Sequence, residues 1–144
     1  MIRINPMNEK KKILVVDDDP DIVELISMML DSAGYTVIVT HSGYECLQIL
    51  TKERPDLIIL DVMLETITEG FNVGYEIKNN PEYRAIPVIL LSAIDKHTGF
   101  PVDTTFIKAD KFMGKPFEPD MLLKSIGRLL NQDSNMRRDF DDSI

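Results

Sequence analysis

Thiols, imidazoles and indoles are nearly missing from this chain. It has one cysteine, Cys46, which excludes an internal disulfide, and no tryptophan. Its two histidines, His41 and His97, stand far apart in sequence and cannot build a Cys/His zinc site with a single thiol. Positive charge is short as well: 16 Lys and Arg against 24 Asp and Glu leave a formal net charge of −8. Such a chain repels a phosphate backbone, whose binding rests on lysine and arginine displacing counterions, so direct nucleic-acid binding is not expected. No segment approaches the roughly 18 consecutive apolar residues that suggest a membrane span, and Met1 to Lys12 carries charges where a signal peptide would carry its apolar stretch. These absences predict a soluble, unprocessed protein of the reducing cytoplasm, with no membrane partner.

What is present suits one globular domain: 144 residues, 44% of them apolar. Four short apolar runs read as strands: Ile13 to Val16, Thr36 to Thr40, Leu57 to Leu60 closed by Asp61, and Pro87 to Leu91 followed by Ser92. Ala109 to Met113 makes a fifth. Between them lie helical stretches. Asp19 caps and Pro20 opens the first, whose apolar positions Ile22, Leu25, Ile26 and Met29 share one face until Gly34. Ser42 and Glu45 form a capping box for the second, which runs to about Lys52. Val62 to Glu69 reads as an irregular loop closed by Gly70, with a helix from Phe71 to Asn79, and Pro119 opens a last helix that buries Leu122, Leu123, Ile126, Leu129 and Leu130. From Ala93 to Lys108 no apolar stripe survives, so a distorted helix or a loop is expected there. Residues 1 to 11 read as a flexible leader, 12 to 130 as the folded domain and 131 to 144 as a frayed polar tail.

Strands alternating with helices predict an α/β fold, a doubly wound parallel sheet covered on both faces. In such a sheet the carboxyl ends of the strands share one rim, where ligands bind. Asp17, Asp18 and Asp19 leave the first strand there, Asp61 the third, Ser92 the fourth, and Lys115 follows the fifth. Two carboxylates roughly 4 Å apart repel by about 4 kcal/mol at an effective dielectric of about 20, so the cluster calls for a cation. Oxygen ligands without histidine or thiol select a hard ion, and Mg²⁺ suits a few carboxylates that leave water positions open. A carboxylate beside such an ion is a nucleophile toward a phosphoryl group, with Lys115 and the Ser92 hydroxyl at hand for the phosphoryl oxygens.

At these residues the chain resembles the receiver domains of two-component response regulators. The matching pieces are Ile13 to Pro20, Pro55 to Leu64, Gly70, Leu91 to Ala93, and Ala109 to Phe117, in order and at near-family spacing. The resemblance implies a five-stranded sheet of order 2-1-3-4-5. It implies that Asp61 accepts a phosphoryl group from a histidine kinase or phosphotransfer protein. Asp18 and Asp61 would bind Mg²⁺ with the backbone carbonyl of Met63, and Asp17 would act chiefly through water. Ser92 and Lys115 would hold phosphoryl oxygens, and Ser92 and Phe112 would form the switch. Output would pass to a protein effector or to a homodimer formed on phosphorylation. Only 14 residues follow Leu130, which predicts a stand-alone receiver, a signalling domain rather than an enzyme. Glu65 departs from the family's usual proline, the loop to Gly70 is one residue longer than usual, and Phe112 lacks the hydroxyl of the common tyrosine.

Two other readings stand beside this one. A haloacid dehalogenase-like phosphohydrolase would use Asp17 as the nucleophile of Asp17-x-Asp19, although Asp21 stands where that motif wants threonine or valine. A receiver-like module that is never phosphorylated would keep the fold without the chemistry. A flavodoxin-like flavin site is disfavoured, since three aspartates replace its hydroxyl-rich phosphate loop.

Overall fold

The computed structural model describes residues 10–62, 67–93 and 107–142, with backbone alone at 67–68, 71, 92–93 and 132–142. Five strands, β1 (Lys12–Val16), β2 (Thr36–Thr40), β3 (Leu57–Asp61), β4 (Val88–Ala93) and β5 (Lys111–Lys115), form one parallel sheet in the order β2-β1-β3-β4-β5. The helices are α1 (Pro20–Ser32), α2 (Gly43–Leu50), α3 (Ile67–Asn79) and α4 (Pro119–Asp142).

Alternation along the central strands explains the two-sided core. Leu14, Val16, Ile58 and Leu60 pack with Cys46, Leu50, Val73 and Ile77 on the α2–α3 side. Their neighbours Ile13, Val15, Leu57 and Ile59 pack with Ile26, Leu30, Leu122 and Ile126 on the α1–α4 side. A strand whose successive side chains meet helices on opposite faces has no polar positions to spare, which is why β1 and β3 read as unbroken apolar runs. Cys46 belongs to this core, and burial pushes its thiol up to about 12, so it packs as a small apolar group.

The caps follow the sequence. Asp19 is the N-cap of α1 and its carboxylate accepts from Asp21 N at 3.0 Å; Ser42 caps α2 and accepts from Glu45 N at 3.2 Å. Gly34, at φ 93°, turns the chain out of α1 in a conformation that costs other residues a steric penalty.

Three boundaries differ from expectation. Helix α3 starts at Ile67, four residues before Phe71, and contains Gly70 instead of stopping at it. A Cβ on Gly70 would lie 1.8 Å from the Val62 carbonyl oxygen, so this glycine serves close packing of the helix on the chain leaving β3. Strand β5 begins two residues late and ends on Lys115 itself. Helix α4 continues through most of the expected tail, to Asp142, because no proline or glycine after Gly127 stops its backbone. Most of the stretch from Ala93 to Lys108, residues 94–106, lies outside the described residues.

Candidate functional site

Register brings the acidic residues together. Val16 of β1 is paired with Leu60 of β3, so the next residue on each chain, Asp17 and Asp61, emerges on the same rim. Both are almost fully buried, at 1% and 2% exposure, while Asp18 is open to solvent. One oxygen from each of Asp17, Asp18 and Asp61 lies within 4.8 Å of the others, a spacing at which three carboxylates can hold a cation.

Lys115 reaches this cluster from the end of β5. Its Nζ donates to Asp61 Oδ2 at 2.9 Å and to Asp17 Oδ2 at 3.1 Å, so one ammonium stands between the two buried carboxylates. Asp17 Oδ1 accepts a further bond from the backbone N–H of Asp19 at 2.9 Å. Burial nevertheless raises the Asp17 carboxyl above its ordinary value, and the charge of Asp61 adds to the rise, against the pull of the Asp19 N–H and Lys115. Burial alone would lower the Lys115 ammonium; its bond to Asp61 and the charges of both aspartates outweigh this and raise it.

The predicted residues divide. Asp17, Asp18, Asp61 and Lys115 are brought together. Ser92 lies on β4 opposite Gly114, one residue from the Ala93–Lys115 pair, so its backbone stands on the same rim. Met63 and Glu65 lie outside the described residues. Phe112 sits opposite Leu90 on β5 and is 40% exposed, on the surface of the strand and not in the core. Asp19 acts as a helix cap, as its position predicts.

Two contributions had no signal in the sequence. The Asp19 N–H that restrains Asp17 is a backbone donor, which any residue but proline would supply at that position. Entry into β5 is fixed by Asp110, whose Oδ2 accepts from Lys78 Nζ at 2.9 Å and from Val88 N at 2.8 Å, while its own N–H donates to Val88 O at 2.9 Å. Lys78 also donates to Arg84 O and Ile86 O, tying the end of α3 to the start of β4 and β5. The tie is consistent with the β4–β5 register, which pairs Ala93 with Lys115 at the rim.

A family model for the response regulator receiver domain matches residues 13–127. The chain belongs to this family. Among relatives of the receiver, the DNA-binding dual master transcriptional regulator RpaA of Synechocystis is 34% identical over 125 residues, covering 84% of this chain and 49% of that protein. The chain thus spans about half the length of the curated relatives it matches. The chemotaxis response regulator CheY4 of Vibrio cholerae superposes on the receiver with a TM-score of 0.71 at 30% identity, covering 84% of this chain and 99% of that one. The receiver domain of the sensor histidine kinase PA1611 from Pseudomonas aeruginosa, solved with a magnesium ion coordinated in its active-site cleft, gives 0.75 at 25% identity, covering 85% and 99%. Membership in a family of signalling domains removes the dehalogenase-like reading of Asp17. Among the described residues no helix is long and apolar enough to cross a membrane.

Proposed function

We propose that this receiver takes a phosphoryl group onto Asp61 from the phosphohistidine of a histidine kinase or phosphotransfer protein, in a Mg²⁺-dependent step. The observation that carries the reading is Asp61 itself: a buried carboxylate at a strand end, 2.9 Å from a lysine ammonium and within 4.8 Å of two more carboxylates. An Asp61 oxygen attacks phosphorus, the donor's N–P bond breaks, and the imidazole leaves with its electron pair and takes up a proton.

Asp18, Asp61 and the Met63 carbonyl would hold the Mg²⁺, with Asp17 acting through water; the carboxylate oxygens that Asp17, Asp18 and Asp61 bring within 4.8 Å of one another suit that hard ion. When bound, the ion neutralises charge between nucleophile and phosphoryl group. Lys115, already aimed at Asp61, takes a phosphoryl oxygen, and the Ser92 hydroxyl donates to another. Phosphorylation acts as a switch only if it stabilises one conformation over another, and movement of Ser92 and Phe112 supplies that difference. The output is a changed affinity for a protein partner or a second copy, in the cytoplasm, without direct contact to nucleic acid.

Labelled acetyl phosphate tests the site. With Mg²⁺ the wild-type protein takes up label, Asp61→Asn takes up none, and EDTA abolishes uptake. Label that persists on Asp61→Asn overturns the assignment, and no label on wild type favours an interaction module that is never phosphorylated. Beryllofluoride, which stands in for the phosphoryl group on Asp61, then serves to capture the partner of the switched state.

A further inference from the structure

Two adjacent residues, Glu69 and Gly70, tie the first turn of α3 to two different parts of the fold. Glu69 Oε1 accepts from the backbone N–H of Gly43, the first residue of α2, at 2.7 Å. Gly43 is itself shaped for this meeting, since a Cβ there would lie 2.3 Å from Val73 Cγ2 and 3.1 Å from Glu69 Oε1. Gly70, the next residue, lies so close to the Val62 carbonyl that a Cβ added there would overlap that oxygen. Val62 is fully buried, follows Asp61 directly, and is pinned to β4 through its N–H on Leu91 O at 3.0 Å.

The consequence is a relay from one helix start to another. The free N–H groups and partial positive charge at the start of α2 hold the Glu69 carboxylate. Glu69 holds the first turn of α3, and Gly70 in that turn bears on the peptide that leads out of the phosphoacceptor. The residue after Val62 is Met63, whose carbonyl our functional reading gives to the metal.

We infer that Glu69 is a positioning residue for the phosphoryl-transfer site: by anchoring α3 to the α2 N-terminus it holds the Val62 peptide, and with it the chain leaving Asp61, where Mg²⁺ and the phosphoryl group are bound. The inference rests on the proposed function and adds a residue that touches neither metal nor phosphate. Partners that orient a metal ligand from behind commonly change affinity by about 10-fold or more when removed.

Mg²⁺ titration followed by amide NMR shifts tests it with readouts other than phosphorylation. Glu69→Ala is expected to bind Mg²⁺ about 10-fold more weakly and to lose the downfield shift of the Gly43 amide. Glu69→Gln, which keeps an acceptor for Gly43 N–H, stays close to wild type. Ser42→Ala is the control: it removes the other cap of α2 and lowers Tm, but leaves α3 untouched and Mg²⁺ affinity unchanged. Should Glu69→Ala fail to fold, Glu69→Asp, one methylene short of Gly43, is read in its place with the same expected weakening. Equal Mg²⁺ affinity in folded Glu69→Ala and wild type, or equal weakening in Ser42→Ala, overturns the inference. Absence of Mg²⁺ binding by the wild-type protein overturns the functional reading instead.

Discussion

Every residue of β3 from Leu57 to Asp61 is buried, whereas β5, two strands away, leaves Lys111, Phe112 and Gly114 exposed and covers Met113 and Lys115 only in part. The two strands contribute opposite charges to one site. Asp61, like Asp17 beside β1, is set in a close-packed frame with helices on both faces, so the acid side of the site has little room to relax. Lys115 brings its ammonium on a flexible stem from a strand with an open surface. A site built this way holds its two carboxylates in a fixed frame and brings its ammonium to them on the more adaptable arm.

The largest expected effect separates the two strands by stability. Leu60→Ala, in the fully buried middle of β3, is expected to cost about 2–5 kcal/mol in urea unfolding, the range for a buried leucine whose cavity cannot collapse. Met113→Ala, at a half-covered position of β5, is expected to cost less than half of that. Equal costs would break the comparison.

Next in size is the charge that joins the strands. Lys115→Met leaves two buried carboxylates without their shared donor, and in the absence of divalent ions it is expected to cost about 1–3 kcal/mol. Mg²⁺ should recover part of this loss. Adding Asp61→Asn should recover part without metal, because the mutual repulsion of Asp17 and Asp61 disappears, and the double variant is then more stable than the sum of the two changes predicts. Strict additivity would mean that the ammonium does not join the two strands energetically.

A pH titration of the metal-free protein sharpens the same contrast. Because the Asp17 carboxyl is raised, the native state holds its proton more tightly than the unfolded chain does. Stability therefore falls as pH rises from the ordinary carboxylate range through the raised value, and Asp17→Asn should remove that fall. Lys115 acts in the same sense but in the alkaline range. Its raised ammonium contributes stability that is complete below the ordinary lysine value and is lost as pH rises through the raised one, so Lys115→Met should flatten the alkaline loss.

The central strands were open to reading from sequence because burial on both faces admits few residue types, and Ile13 to Val16 and Leu57 to Leu60 satisfy that demand without interruption. The doubly wound order and the rim that collects Asp17, Asp61 and Lys115 follow from the family resemblance and the right-handed crossovers, and the sheet has that order. The exposed edge was harder. Strand β5 holds lysines, a glycine and one solvent-facing aromatic, so hydrophobicity could not fix its limits, and its start coincides with Asp110 meeting Lys78 of α3 and Val88 of β4. Helix α3 was misread at its start because glycine in sequence signals a stop. Gly70 instead answers a contact with the Val62 carbonyl that no local pattern records. The Glu69 bond to Gly43 spans 26 residues and was invisible for the same reason.

The smallest expected effect lies at Phe112, where family likeness and packing point different ways. Burying a phenylalanine side chain completely is worth about 1.5–3 kcal/mol, and at 40% exposure on an edge strand much of that is never realised. Phe112→Ala should therefore lower stability by about 1 kcal/mol or less. A ring kept on the surface at so little benefit to the fold is suited to contact with something that comes and goes. Under that reading the substitution leaves Mg²⁺ affinity near wild type but weakens capture of a partner by the beryllofluoride-bound protein. A loss of stability as large as that of Leu60→Ala would instead make Phe112 part of the core, and the contrast between β3 and β5 would then stop short of this residue.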